Sequence, residues 1–452
     1  MTQLNGPLRV HPHNGRYFID PAGRAVLLVG SHTWDNLQDI GVTNPPKAFD
    51  YEQYLAFLTD HGHNFFRLWC WEQVYWTCMW RGSYRTDPMI YVRTGPGTAA
   101  DGKPKFDLQQ LDPRHFDRMR HRVIAAGKRG IYVSIMLFDG WSVEPKAGDY
   151  DNPWPFHPFH RDNNINGVDG DPSRHADGRD THGLRVPDIT AVQERYIRHV
   201  IETVGDQPNV LYEISNESGG QSYDWQNHMV RFIHEVEATR ALQHPVGITV
   251  PYPGGDNARL MASPADWISP KPASGGDAGD PEVADGRKVI IDDTDHLWGI
   301  GGDRKWAWKS FTRGRHPVFM DPYDSPGTWL GALKGYDFKD ERWVSLRRNL
   351  GYVRRLADQV DLAAMTPRGN LSSTTYCLAT SDHADWPTCI AYQPDAGPFT
   401  VDLTHVDGSL AVQWINPVDG SSVRAAADVR GGSKITLNPP FDHDGVVHLY
   451  RK

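Results

Sequence analysis

The stretch Val210-Leu211-Tyr212-Glu213-Ile214-Ser215-Asn216-Glu217-Ser218 runs directly into Gly219-Gly220. A short run of apolar and β-branched residues that stops at polar residues and glycines predicts a buried strand emptying into a loop. In a parallel α/β protein such strand ends are where chemistry sits, because the loops there vary while the barrel holds the strand ends rigid. Asn216 and Glu217 are therefore the first candidates for a reactive site. The alternative reading is a loop carboxylate that merely meets solvent.

Working back from this strand, Leu8-Arg9-Val10 and Tyr17-Phe18-Ile19 flank the turn signal His13-Asn14-Gly15, which predicts a hairpin lead-in. Ala25 to Gly30 is fully apolar and reads as the first barrel strand, ending in Ser31-His32-Thr33-Trp34-Asp35. Tyr51, Tyr54, Leu55 and Leu58 recur at helical spacing, and Asn64 to Trp69 supplies a second strand. An aromatic-rich loop is expected from Cys70 to Lys105. Asp112-Pro113 is an N-cap and first-turn pair for a helix ending near Gly127 to Gly130, and Ile131 to Leu137 is strand three. Phe138 to Arg185 has no regular pattern, and so long a loop in a compact domain is usually functional, a lid or pocket wall.

Working forward, Ile248 to Pro251 reads as strand five, Trp267 to Ser269 as strand six, Val289 to Ile291, continuing into Asp292 to His296, as strand seven and Pro317 to Met320 as strand eight. Trp343, Leu346, Leu350, Val353, Leu356 and Val360 give the apolar stripe of a closing helix. After Met365 the pattern becomes short alternating runs separated by Pro, Asp and Gly, which predicts a small antiparallel β-sandwich. The expected architecture is thus α/β: a (β/α)8 TIM barrel over residues 1–365 with a β-sandwich accessory domain over 366–452.

Composition narrows the function. The chain has 452 residues, enough for a barrel of about 250 residues with elaborations and a small second domain. Its formal net charge of -9 argues against a nucleic-acid or anionic-membrane partner, since both want a basic surface. Trp equals Phe at 16 each, and surplus indole suits stacking on the apolar faces of sugar rings, although barrel filling claims many of them. No positively charged segment followed by an apolar run opens the chain, and Cys70, Cys78, Cys377 and Cys389 lack metal-type spacing. Reduced thiols and a cytoplasmic location are expected, a secreted chain trimmed of its leader having the same appearance.

Cleaving a glycosidic bond through an oxocarbenium-like transition state asks for two carboxyl groups on opposite sides of the bond. Glu217 and Asp293 fit, each just past an apolar strand of the same barrel. Asp292, Asp295 and Asp321 are rivals for the second carboxylate, but taking Asp321 as strand seven leaves no eighth strand before the closing helix. His32, Trp34, Trp69, Glu72, Asp139, Trp141, His182, Tyr252 and His296 lie on strand-end loops, either lining a sugar pocket or packing beneath it. Asp292-Asp293-Thr294-Asp295-His296 has an alternative reading as a divalent-metal site, but no His-Glu-x-x-His spacing accompanies it, so neither metal nor cofactor is expected.

Here the residues resemble a family. Ser215-Asn216-Glu217 after an apolar strand resembles the Asn-Glu signature of clan A glycoside hydrolases, whose Glu is the acid/base at strand four. Lys288 to Asp293 is similar to the strand-seven segment of that clan, with Asp293 standing where the nucleophilic Glu is normally found. Asn64 to Arg67 resembles the strand-two segment whose Arg braces the nucleophile, and the likeness gives that role to Arg67. With Gly30-Ser31-His32-Thr33-Trp34, and with Trp414-Ile415-Asn416-Pro417 and Asn438-Pro439-Pro440-Phe441 in the sandwich, the chain resembles the apiosidase-like group, whose barrel precedes a collagen-binding-type sandwich.

The resemblance implies a retaining, exo-acting hydrolase of an oligosaccharide or polysaccharide side chain, with a carbohydrate substrate as its partner. The shorter Asp at the nucleophile position bears on stereochemistry, since about 1.5 Å of lost reach moves the carboxyl gap from ~5–5.5 Å toward the ~6.5–9.5 Å of inverting enzymes. The competing expectation is a carbohydrate-binding protein on a barrel that turns nothing over. Oligomeric state is not legible.

Overall fold

Eight strands form one parallel sheet: β1 (Gly30–His32), β2 (Phe65–Leu68), β3 (Tyr132–Asp139), β4 (Val210–Asn216), β5 (Val246–Thr249), β6 (Trp267–Ser269), β7 (Val289–Asp293) and β8 (His316–Met320). They are hydrogen-bonded in the order β2-β3-β4-β5-β6-β7-β8-β1 in a computed structural model that describes residues 4–78, 82–146, 152–273, 276–323, 337–380 and 387–451. Among the described residues the helices are α1 (Tyr51–Asp60), α2 (Pro113–Gly127), α3 (Pro187–Val204), α4 (Tyr223–Glu237), the short α5 (Asn257–Met261), α6 (Arg304–Thr312) and α7 (Glu341–Ala357).

The seam between β1 and β2 is closed largely by Asn64. Its backbone N–H donates to the Val29 carbonyl at 3.0 Å, its side-chain oxygen accepts from Val29 N–H at 2.9 Å, and its amide donates to the Leu27 carbonyl at 2.9 Å. Gly30 allows the approach, because a Cβ there would sit 1.9 Å from the Phe65 carbonyl oxygen. This corrects the expected first strand. Ala25–Val26 pairs instead with Phe18–Ile19 in a three-stranded lead-in sheet, and the barrel strand begins only at Gly30.

Strand alternation sorts the side chains. Leu28, Phe65, Tyr132, Leu211, Trp267, Val289, Ile291 and Val318 form one buried cluster. Their strand neighbours Phe66, Val133, Val210, Tyr212, Ile268 and Ile290 belong to a separate cluster with the helices. One step further along each strand on the first face come Arg67, Glu213 and Asp293, so polar groups sit above an apolar floor. Asp112 caps α2 as expected, accepting from Arg114 N–H at 3.0 Å.

The expected loop from Cys70 to Lys105 is a second correction. Gly82–Asp87 pairs with Tyr75–Cys78 and with Asp39–Gly41, and Tyr91–Thr98 pairs with Pro104–Leu111. The segment after β3, by contrast, carries among the described residues single 3-10 turns and one isolated bridge from Asn164 to Phe106, and the side chain of Asn163 donates to the Pro155 and His157 carbonyls within it.

The C-terminal strands form an antiparallel sheet led by Met365–Pro367, Cys377–Thr380, Thr388–Gln393, Gly445–Tyr450 and Ser409–Ile415, with Phe399–Asp402 and Lys434–Leu437 as a separate pair. Helix α6 and barrel loops hold it: Trp308 of α6 stacks on Tyr392 at 6.3 Å, Arg304 donates to Asp444 at 2.7 Å, and Tyr376 donates to Asp280 at 2.7 Å. Cys70, Cys377 and Cys389 are buried free thiols, and the side chain of Cys78 lies outside the described residues. No helix among the described residues is long and apolar enough to cross a membrane.

Candidate active site

Arg67 is the hub. Its Nε and Nη2 donate to the two Glu213 oxygens at 2.9 and 2.5 Å, Nη2 donates to Asn216 Oδ1 at 2.7 Å, and Nη1 donates to Asp293 at 3.2 Å and Asp295 at 3.0 Å. The guanidinium is 1 % exposed and lies over the Trp69 ring at 4.9 Å. A planar fork with five donors can tie three strands together in this way, where a lysine could not. Glu213 is the site residue that motif reading passes over. Glu213, Ser215 and Glu217 alternate on the segment, so a carboxylate facing into the barrel was legible two residues before Ser215.

Asp293 is fully buried. Trp69 Nε1 donates to His32 Nδ1 at 2.9 Å, and since an indole N–H can only donate, the His32 proton sits on Nε2 and points at Asp293 Oδ1, 3.0 Å away. Burial disfavours the charged form of Asp293, yet His32 and Arg67 outweigh it and hold the carboxyl well below the usual range. Its neighbour Asp295 is pushed the other way by burial, and by Asp293, against the pull of Arg67.

Glu217 follows β4 with φ of 47°, the left-handed region that an L-residue other than Asn, Asp or Gly seldom adopts. Such strain costs on the order of 1–3 kcal/mol and persists only where the surroundings impose it. Gly140 is part of those surroundings: a Cβ there would lie 2.3 Å from the Glu217 carbonyl oxygen. Glu217 Oε2 accepts from Trp141 Nε1 at 2.6 Å. Burial and the charge of Asp295 push Glu217 up to about 8, while Trp141 and Lys146 pull it down. The site therefore sets a carboxylic acid near neutrality beside an ionised, Arg-bound aspartate.

Beneath these groups runs a second polar tier. Asn216 Nδ2 donates to Asp139 at 3.3 Å, and its Oδ1 also accepts from His296 Nε2 at 3.2 Å, whose Nδ1 is 2.7 Å from Ser269 Oγ. Burial raises Asp139 to about 8 and lowers His296 to about 3. Glu72 accepts from Asp139 N–H at 3.0 Å and from His182 Nε2 at 3.2 Å; burial opposes its ionisation, but His182 and His157 bring it down to about 2. His182 Nδ1 in turn meets Ser218 Oγ at 2.8 Å.

The predicted residues thus divide by depth. Glu217, Asp295, Trp141, Tyr252 and Trp34 reach the mouth, where Trp141 and Tyr252 lie near-parallel with ring centroids 6.4 Å apart and Tyr252 is 45 % exposed. His32, Arg67, Trp69, Asn216, Asp293, Asp139, His296, Glu72 and His182 are buried behind them. Two predictions are corrected. Asp292, next to an inward Asp293, faces the helices and accepts from Ser310 Oγ at 2.6 Å and Arg315 at 3.0 Å. Asp321 is bound by Arg347 of α7 at 2.6 and 2.8 Å. Neither has an oxygen left for a ligand in the barrel. Among the described residues no group of three His, Cys, Asp or Glu side chains is placed to hold a metal ion.

Substituting Trp141 by Phe keeps the ring and removes the donor. Because that hydrogen bond favours the charged form of Glu217, its loss should move the alkaline limb of any activity profile to higher pH, read from kcat/KM against pH. An unmoved limb would mean that Glu217 is not the titrating group.

No protein-family model matches the chain, and no curated protein matches it in sequence. Solved structures match it in fold. A glycoside hydrolase family 5 structure from Bacteroides vulgatus superposes with a TM-score of 0.62 at 13% identity, covering 98% of this chain and 93% of the other. A structure titled glycoside hydrolase gives a TM-score of 0.59 at 14% identity, covering 98% and 96%. At such identities the likeness is one of fold, a (β/α)8 barrel with a C-terminal β-domain.

Proposed function

We propose that the chain is a glycoside hydrolase that removes a sugar from the end of an oligosaccharide or polysaccharide side chain by a retaining, two-carboxylate mechanism. The observation that carries this is the division of charge at one barrel mouth: Glu217 is raised to about 8 in part by the charge of Asp295, and Asp295 shares Arg67 with Asp293, which is held ionised. Glu217 acts as the acid that protonates the departing oxygen and later as the base that activates water. An aspartate of the β7 end works from the other face. Arg67 donates to both aspartates of that end and favours their charged forms, and Asn216 bridges Arg67 to the Glu217 turn.

Both acids reach the surface slightly, 9 % for Glu217 and 8 % for the Asp295 side chain, which leaves them open to a substrate at the mouth. Trp141 and Tyr252 offer faces for a sugar ring. That the fold neighbours are glycoside hydrolases supports the same class. The likeness to the apiosidase-like group points to a pentose or other side-chain sugar of a plant polysaccharide.

Aryl glycosides and plant oligosaccharides offered to the wild-type protein should yield free monosaccharide with at least one of them. If the panel is bound without turnover, the non-catalytic carbohydrate-binding reading replaces this one.

A further inference from the structure

Two aspartates of the β7 end touch Arg67, and they are not equivalent. The Asp293 side chain has no exposed surface. Its Oδ1 accepts from His32 Nε2 at 3.0 Å and from the Asp295 backbone N–H at 3.0 Å, and its Oδ2 accepts from Arg67 at 3.2 Å and lies 2.9 Å from His32. Nothing in that arrangement leaves an oxygen free to approach a sugar. Asp295 sits in the 3-10 turn Thr294–His296 that Asp293 caps, so its carboxyl is carried beyond the strand end toward the mouth. Its Oδ2 accepts from Arg67 at 3.0 Å, and among the described residues its Oδ1 accepts no hydrogen bond. Thr294 fixes the turn by accepting the Met320 N–H at 2.9 Å.

We propose that Asp295, not Asp293, is the carboxylate that attacks the anomeric carbon, and that Asp293 is a positioning residue which orients the turn and Arg67 behind it. This rests on the glycosidase reading above. It agrees with the electrostatics, since of the β7 aspartates it is Asp295 whose charge Glu217 feels most strongly.

In the first step a lone pair of Asp295 Oδ1 bonds to the anomeric carbon while the bond from that carbon to the leaving oxygen breaks. The leaving oxygen takes the Glu217 proton. In the second, Glu217 accepts a proton from water as the water oxygen bonds to the anomeric carbon and the ester bond to Asp295 breaks. One water is consumed, one glycosidic bond is lost, and both carboxyl groups return to their starting forms.

The test uses an aryl glycoside with a good leaving group that the wild-type enzyme hydrolyses. Asp295→Ala should lose on the order of 10⁴-fold in turnover. Sodium azide should restore it, giving a glycosyl azide of inverted configuration. Asp293→Asn should lose about 10–100-fold, as removal of an orienting partner does, and form no azide product. Trapping with the matching 2-deoxy-2-fluoro glycoside should label the peptide at Asp295. Azide rescue or labelling at Asp293, or an Asp295→Ala variant that melts like wild type and stays within about tenfold of its rate, overturns the assignment while leaving the glycosidase reading intact. A wild-type protein that hydrolyses no glycoside overturns both.

Discussion

Replacing Glu217 by Gln is expected to lower kcat/KM on a glycoside with a poor leaving group by about 10²–10⁴-fold, the range that a positioned proton donor contributes. Gln keeps the volume and can still accept from Trp141, so the loss reports the proton rather than the shape. The pH dependence follows from the same group. A donor must hold its proton, and Glu217 stands at about 8, so wild-type activity should persist on the neutral side of that value and fall above it. A steady-state pH profile checks the limb, and a Glu217→Gln protein within a few-fold of wild type would remove the acid role from this residue.

The second large effect is on stability. Arg67→Met would leave Glu213, Asp293 and Asp295 in the barrel without their shared cation. Removing one partner of a buried pair costs about 3–5 kcal/mol, because the remaining charges stay desolvated. In a barrel of this size that is a fall in Tm of about 4–7 °C. The sign with pH is fixed by Asp293. Its folded value is depressed below 3.8, so its contribution is present above that pH and is lost as pH falls through the folded value. The deficit of Arg67→Met should therefore hold its full size from neutrality down to about pH 4 and narrow only below 3.8, as denaturant midpoints at several pH values would reveal. Adding Glu213→Gln should recover part of the stability but none of the activity. A deficit independent of pH would argue against charge pairing as the cause.

Much of this molecule can be read without coordinates, and the exceptions have physical reasons. The β4 strand and its Asn216-Glu217 end announce themselves because apolar residues stop abruptly at a polar pair. The left-handed φ of Glu217 does not, since the close approach of its carbonyl is permitted by the missing Cβ of Gly140, far away in the chain. Asp292 and Asp293 look alike in a string of letters, and only the two-residue period of the strand tells that one faces the pocket and the other Arg315. Asp321 ends an apolar strand as a site residue would, but its partner Arg347 lies on α7, and such a long-range ion pair leaves no local trace.

The hairpins between Tyr75 and Leu111 are missed for a related reason. Gly82–Asp87 and Tyr91–Thr98 are rich in Gly, Arg and Thr and gain order by pairing with Asp39–Gly41 and Pro104–Leu111, while only a few positions such as Tyr91, Phe106 and Leu108 are buried in the core. The first strand is misplaced because Leu27 to Val29 satisfy their backbone on the side chains of Asn64 and His316, which no periodicity reports. The tryptophans divide: Trp225, Trp267, Trp306, Trp308 and Trp343 fill the interior, whereas Trp141 and the 41 % exposed Trp298 remain nearer the surface.

The central claim is that Glu217 delivers a proton to a departing sugar oxygen, and leaving-group dependence tests it most directly. The ratio of wild-type to Glu217→Gln kcat/KM should be measured for one sugar carrying leaving groups from dinitrophenol to a simple alcohol. The account predicts a small ratio for the acidic phenol, which departs without help, rising toward about 10⁴ for the alcohol. A ratio that stays the same across the series would show that Glu217 only binds the sugar, and would contradict the account.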